Sequence, residues 1–305
     1  MKIICSTNIP FAQNAFATIG NVTILEPHAI TPDRIRNADI LIIRSTTKVN
    51  RTLLKDSKVR FVGTTTIGTD HIDLDYLDHA GIAWCAAPGC NANSVSEYIS
   101  AALLCLSQQF NFKLHGKTIG VIGVGNIGKL VVQKSEALGL KVLQNDPPRY
   151  EETGNPAFKP LKNVLAESDI ITLHVPITKS GRHPTFHMAD KNFIKQLKKD
   201  CILLNAARGA VVDSNALLAA LADGVIAHAV LDTWEGEPAF RTDLLKKIDI
   251  GTAHIAGHSF DGKVMGTVMV FSQLCRFLGI KTTWTPEHLM PRPTVPEISV
   301  NASSQ

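Results

Sequence analysis

Three polar residues lie just beyond apolar runs in the second half of the chain: Arg208 in NAARGAVVD, Glu237 in DTWEGEP and His254 in GTAHIAG. Guanidinium, carboxylate and imidazole together suit hydride transfer from a secondary alcohol. When carbon gives up a hydride the hydroxyl also loses its proton, which calls for a base that works near neutral pH within hydrogen-bond reach. His254 fits that role. Glu237 beside it would fix the imidazole tautomer and stabilise the imidazolium that forms. Arg208 would grip a carboxylate with two parallel bonds and polarise the forming carbonyl oxygen, which orients a 2-hydroxy acid. Each residue alone has an ordinary structural explanation: a surface ion pair, a loop acid before Pro238, a partly buried histidine. Their joint position after strand-like runs favours chemistry.

A partner for the hydride is implied upstream. Residues 118–128 read TIGVIGVGNIG, an apolar run ending in Gly123, Gly125 and Gly128 with the spacing G-x-G-x-x-G, followed by an amphipathic stretch. That pattern opens a dinucleotide-binding βαβ unit. Gly123 turns out of the strand, Gly125 lets the backbone approach a pyrophosphate, and Gly128 lets helix and sheet pack closely. A helix starting near Asn126 and Ile127 would aim its unpaired N–H groups at the phosphates. Asp146 ends the next run, LKVLQND, 18 positions beyond Gly128. The spacing suits a ribose-binding acid, and its charge favours NAD over NADP, with Arg149 keeping NADP in play. The competing explanation makes Asp146 a turn residue ahead of Pro147 and Pro148. Asp232, ending IAHAVLD, would bind the nicotinamide carboxamide; the turn from His174 to Pro176 would pass the adenine; Gly257 and His258 would line the same site. His28, His79, His115, His183 and His187 have no comparable company and read as surface or loop residues.

The elements that position these groups follow from alternation. Through residue 90 the apolar runs KIICS, NVTILE, ADILIIRS, VRFVGTT and GIAWCAA alternate with helix-compatible pieces, which predicts parallel strands joined by crossovers. Arg44, Ser45 and Lys48 follow the third run, and Thr65 and Thr66 follow the fourth. Ligands bind outside the carboxyl ends of such strands. Arg44, Ser45 and Lys48 would hold an anionic substrate group and the threonines a polyol or carboxylate; an ordinary solvated loop fits the same residues equally well. Asn93 and Ser94, with Glu97 three residues after Ser94 as in a capping box, predict a helix start. DIITLHVP, CILLNAARG, IAHAVLD and DIGTAHI supply further strands, with helices through VDSNALLAALADG, TDLLKKI and VMGTVMVFSQLCRFLG and a proline-rich, loosely held end. The expected architecture is α/β: two doubly wound parallel-sheet domains with a cleft between them. Residues 1–93 and 281–305 would form the substrate domain and 94–280 the Rossmann nucleotide-binding domain.

With 305 residues, 45% of them hydrophobic and 19% charged, two domains can each bury a core. A net charge of +4 gives no reason to invoke nucleic acid or a membrane surface. The six cysteines lack a C-x-x-C pair, which fits neither a metal site nor a disulfide framework and suggests reduced thiols in a cytoplasm. MKIICS runs straight into a strand-like pattern, so no signal peptide is expected, and the longest uncharged stretch, residues 98–112, falls short of a membrane span.

Taken together, GVGNIG, NAARGAVVD, DTWEGEP and GTAHIAG resemble the D-isomer-specific 2-hydroxyacid dehydrogenases. RSTTKVN, FVGTTTIGTDHID and AAPGCNANSVSEY are similar to the branch of that family that oxidises 4-phospho-D-erythronate at C2 to a 2-oxo acid in the vitamin B6 pathway. The resemblance implies a flavodoxin-like substrate domain and NAD as cofactor. It implies Arg208, Glu237 and His254 as catalytic residues, and Ser45, Thr66 and His258 as substrate contacts. It further implies Asp146, Val175, Asp232 and Gly257 as cofactor contacts, with Asn126 and Ile127 at the pyrophosphate. Two positions depart from the relatives: His258 replaces a tyrosine and Val175 a common threonine. Relatives are homodimers with a C-terminal dimerisation domain, which is expected to be missing here. A 3-phosphoglycerate dehydrogenase and a non-catalytic NAD(H)-sensing protein stay open as rival readings.

Overall fold

The computed structural model describes residues 1–292, 294 and 295. Two compact units emerge, one made of residues 1–88 with 263 onward and the other of residues 89–262. The sequence expectation placed these divisions after residues 93 and 280. The later one falls instead inside the helix Phe260–Leu278. Most of that helix belongs to the first unit because its apolar side chains pack there. Val270 lies against Gly63, where a Cβ would come within 2.5 Å of its methyl, and Phe271 meets Phe16 and Trp284 edge-on at 5.8 and 5.6 Å.

The first unit is built on a five-stranded parallel sheet of β1 (Lys2–Ser6), β2 (Asn21–Leu25), β3 (Ile40–Ile43), β4 (Phe61–Thr64) and β5 (Ala83–Cys85), in the order β2-β1-β3-β4-β5. β3 and β4 are buried at every position, as central strands covered on both faces must be, whereas the edge strand β2 is largely exposed. The strand order reverses between β1 and β3, so the carboxyl ends of those strands form the unit's switch point, where α/β sheets take ligands.

The second unit carries a six-stranded sheet of β6 (Thr118–Ile122), β7 (Lys141–Asn145), β8 (Ile170–Leu173), β9 (Cys201–Asn205), β10 (Ile226–Leu231) and β11 (Ile250–Gly251), ordered β11-β10-β9-β8-β6-β7 and parallel throughout. A single parallel bridge from Gln144 to Phe158 adds a rudimentary neighbour outside β7. Successive side chains of β9 alternate between two cores: Leu203 joins Leu173, Val164 and Leu217, while Ile202 and Leu204 join Ile119, Val121 and Leu103. Burying each such side chain contributes roughly 1.5–3 kcal/mol, so both helical layers are fixed against the sheet.

Two local expectations change. The helix Ala92–Gln109 starts before Ser94 with Asn91 as its N-cap, so the capping box is not formed. Glu97 is engaged by Asn93 one turn earlier at 2.8 Å, and the Ser94 hydroxyl meets Ser259 at 2.8 Å. β11 is only two residues long, because the backbone beyond it is drawn into a loop around Asp232. Among the described residues no helix is long and apolar enough to cross a membrane. The expectation of a loosely held end falls on residues outside those described.

Candidate active site

Glu237 and His254 meet. The imidazole Nδ1 lies 2.6 Å from Glu237 Oε1, while Oε2 accepts the Trp234 N–H at 3.1 Å. The pairing selects the tautomer with Nδ1–H donated to the carboxylate, which leaves Nε2 to accept a proton. Both side chains stay partly exposed, as reaching a ligand would require. His254 itself has φ 55°, the left-handed region that a residue with a Cβ seldom adopts.

What holds it there is Asp232, at the end of β10. Its carboxylate accepts Thr252 Oγ1 at 2.6 Å, the Ile255 N–H at 2.7 Å and the Ala256 N–H at 2.9 Å, and its carbonyl accepts the His254 N–H at 2.7 Å. Asp232 is 1% exposed, so bracing this loop is its visible work. Behind it the Tyr98 hydroxyl bonds Thr252 Oγ1 at 2.7 Å. Burial, with the Asp232 charge adding to it, raises the Tyr98 pKa against the opposing Thr252 bond, so the phenol stays protonated.

Arg208 follows β9. Asn205 shapes its turn by accepting the Ala207 N–H at 3.0 Å and donating to the Arg208 carbonyl at 3.0 Å, and Arg208 Nη1 reaches the Ala207 carbonyl at 2.8 Å. The next residue, Gly209, lies so close to the loop bearing Glu237 that a Cβ would fall 1.9 Å from the Trp234 carbonyl carbon. The arginine and glutamate loops are therefore in backbone contact.

The glycine fingerprint forms a cradle. Gly123 has φ 86° and lies against the His174–Val175 turn, where a Cβ would be 2.7 Å from the His174 carbonyl oxygen. A Cβ at Gly128 would come within 2.0 Å of the Gly123 oxygen, so helix and strand touch there. At Gly125 a Cβ would meet nothing within 4 Å, which leaves backbone open to a ligand. Gly125 is also the N-cap of the helix Asn126–Ala137 and offers no side chain to its first N–H groups, the donors a pyrophosphate would take. Asp146 Oδ2 accepts the Val124 N–H at 2.8 Å and Oδ1 the Arg149 N–H at 3.1 Å, so it caps the helix Pro147–Thr153 as well as pinning the glycine loop. Each oxygen keeps acceptor capacity for a ribose hydroxyl. These residues fit a dinucleotide.

Residues 104–256 match the family model described as D-isomer specific 2-hydroxyacid dehydrogenase, NAD binding domain. The erythronate-4-phosphate dehydrogenase of Escherichia coli O1:K1 / APEC is 44% identical over 301 residues, 99% of this chain and 80% of that protein. The chain belongs to the D-isomer-specific 2-hydroxyacid dehydrogenase family. Among solved structures, a 3-phosphoglycerate dehydrogenase from Entamoeba histolytica with bound NAD+ aligns with TM-score 0.77 and 25% identity over 92% of this chain and 95% of that one. A D-lactate dehydrogenase from Aquifex aeolicus, complexed with NAD and lactic acid, aligns with TM-score 0.73 and 27% identity over 91% and 95%. As a dehydrogenase of this family the chain is an NAD-dependent oxidoreductase.

The remaining family positions divide by unit. In the second, a Cβ at Gly257 would lie 2.0 Å from Asn91 Nδ2, the Asn91 amide donates to the Gly257 carbonyl at 3.3 Å, and His258 is exposed. Val175 borders the core. In the first unit Arg44 is half-buried, Ser45 and Lys48 are exposed, and Arg44 Nη1 donates to the Asn8 carbonyl at 3.4 Å. Thr66 Oγ1 lies 2.7 Å from Thr64 Oγ1, which lies 3.2 Å from His71 Nε2. Burial lowers the His71 pKa against the opposing Asp70 charge, which keeps that imidazole neutral.

Two histidines read as companionless have carboxylate partners. His183 Nε2 lies 2.9 Å from Glu151, and His187 Nε2 hydrogen-bonds Glu235, whose second oxygen accepts the Ser214 N–H at 3.1 Å. Those acids are 32 and 48 residues away in sequence, and although Glu235 stands inside DTWEGEP, spacing could not reveal either pairing. Asn205 and Gly209 stood inside the quoted motif, and only the close approach of backbones exposes their roles. His174 bonds Thr172 at 2.8 Å through Nε2, and loss of solvent pushes its pKa down to about 3.

Proposed function

We propose that this dehydrogenase oxidises 4-phospho-D-erythronate at C2 to the 2-oxo acid, a step of vitamin B6 biosynthesis. Similarity to erythronate-4-phosphate dehydrogenases over nearly the whole chain supports the substrate. The observation that carries the chemistry is the 2.6 Å contact between His254 Nδ1 and Glu237. His254 Nε2 takes the C2 hydroxyl proton while Glu237 holds Nδ1–H and balances the imidazolium. Arg208 grips the substrate carboxylate and stabilises negative charge at the forming carbonyl oxygen. Bound NAD supplies the acceptor for the hydride leaving C2. Gly123, Gly125, Asn126, Ile127 and Gly128 receive its pyrophosphate, Asp146 its ribose, and Val175, Asp232 and Gly257 its remaining groups. Ser45, Thr66, His258, Arg44 and Lys48 contact the substrate. Residues 89–262 form the cofactor domain and residues 1–88 with 263 onward the substrate domain.

Steady-state oxidation with NAD, followed by the absorbance of the reduced nicotinamide, tests this directly. Turnover of 4-phospho-D-erythronate well above 3-phosphoglycerate is expected, and His254→Ala should lower kcat by about 10²–10⁴-fold while NAD binding persists. Equal or greater activity with 3-phosphoglycerate would move the assignment to that substrate. No turnover with any hydroxy acid, with NAD binding intact, would make the chain a nicotinamide sensor. The same reading carries a cytoplasmic homodimer. All six cysteines are free thiols, which supports the reducing compartment, and sedimentation reads the dimer.

A further inference from the structure

At the carboxyl edge of the first unit's sheet, segments far apart in sequence converge on Arg44. The Asn8 carbonyl, beyond β1, accepts from Arg44 Nη1 at 3.4 Å. Two residues on, the Pro10 carbonyl accepts from Thr267 Oγ1 at 2.9 Å. Gly266 lies so close to the loop after β4 that a Cβ there would fall 2.6 Å from the Thr65 oxygen. The loop after β1, Arg44 after β3, Thr65 after β4 and the turn containing Lys263 to Thr267 thus form one cluster. Thr267 Oγ1 also reaches the Lys263 carbonyl at 3.3 Å, which places Lys263 one helical turn from the Pro10 contact.

Lys263 and Arg44 consequently share a neighbourhood. Burial lowers the Lys263 pKa, and the Arg44 charge lowers it further. Two cationic side chains in one partly desolvated neighbourhood make its potential positive, which suits a doubly charged anion. Arg44 offers a planar fork and Lys263 a compact ammonium, a pairing suited to a phosphate with several oxygens. The exposed hydroxyl of Ser45, next in sequence to Arg44, can add a donor.

We propose that Lys263 and Arg44 form the subsite that receives the phosphomonoester end of the substrate, with Lys263 as a specificity-determining residue for phosphorylated over unphosphorylated 2-hydroxy acids. The inference rests on the phosphorylated substrate proposed above.

The test compares kcat/KM for 4-phospho-D-erythronate and D-erythronate in the wild type, Lys263→Met, Lys263→Gln and Lys263→Arg, with NADH affinity and Tm as controls of folding. For Met and Gln the phosphorylated acid should lose roughly 10- to 100-fold, mainly through KM, while the unphosphorylated acid is unchanged and Arg recovers part of the loss. Inorganic phosphate should inhibit the wild type competitively and the Gln variant far less. A folded Gln variant that keeps the wild-type preference for the phosphorylated acid and wild-type phosphate inhibition overturns the subsite. Equal losses with both acids overturn it too. A wild type with no preference for the phosphorylated acid instead sinks the substrate assignment on which the subsite rests.

Discussion

Gly209→Ala asks whether backbone contact between the arginine and glutamate loops sets the catalytic geometry. The added Cβ would lie 1.9 Å from the Trp234 carbonyl carbon, 2.1 Å from its oxygen and 2.3 Å from the Glu235 nitrogen. Real Cβ atoms keep at least 3.0 Å, so the loops must part by about 1.1 Å (3.0 − 1.9). Glu237 moves with Trp234, to which it is tied by its own N–H at 3.3 Å and by its carboxylate at 3.1 Å. His254 does not follow, because Asp232 anchors it separately. If the whole displacement falls along the Glu237–His254 contact, 2.6 Å becomes about 3.7 Å, beyond a hydrogen bond. Should the other loop yield, Arg208 moves by the same amount. Misplacement of about 1 Å costs on the order of 10²-fold in rate, or about 2.7 kcal/mol of barrier. The expected outcome is a kcat lowered about 100-fold with NADH affinity, read by fluorescence titration, close to wild type. A folded variant with kcat within about threefold of wild type would show that the contact does not set the geometry.

Asp146→Asn removes the charge that disfavours a 2′-phosphate while keeping an acceptor for Val124. It should lower kcat/KM for NAD by about 10- to 100-fold and raise that for NADP; an unchanged ratio of the two coenzymes refutes the role given to Asp146. Burial raises the pKa of Glu235, but the bonds from His187 and Ser214 outweigh burial and leave the carboxyl below its ordinary range. A depressed carboxyl stabilises the fold above its unfolded pKa, so this stabilisation is present at neutral pH and is lost as pH falls from about 4 through the folded value. Glu235→Gln should accordingly lower Tm at pH 7 and flatten its decline in acid; parallel Tm profiles for the two proteins would contradict this.

The two sheets were legible because central parallel strands are buried on both faces, and runs such as ILII and CILLN have few other uses. Arg208, Glu237 and His254 were legible because each follows such a run. The contact of Glu237 with His254 needed the fold, since it depends on the left-handed turn at His254 that Asp232 enforces. Asp232 reads from the sequence as a cofactor contact, and the three protein donors that converge on its buried carboxylate leave no trace in spacing. The helix start at Asn93–Ser94 misled because Asn93 and Glu97, suited to a cap, also pair well one turn apart inside a helix. Lys263 carries no motif. Its position beside Arg44 comes from packing of the long helix on the first sheet, which no local pattern encodes.

The left-handed backbone at His254 costs of order 1–3 kcal/mol and persists only where its surroundings over-determine it. Here they do. Asp232 takes four hydrogen bonds from residues 252–256 through its carboxylate and carbonyl, and its own N–H donates to the Asn205 carbonyl at 3.0 Å. Asn205 in turn shapes the Arg208 turn, and the Glu237 loop starts directly after Asp232. The loops that carry Arg208, Glu237 and His254 are therefore all tied to the adjacent ends of β9 and β10, which pair as Leu231 with Asn205. In the proposed reaction, a base and supporting acid already paired within the second unit would leave the energy of substrate binding for the transition state rather than for assembling the site.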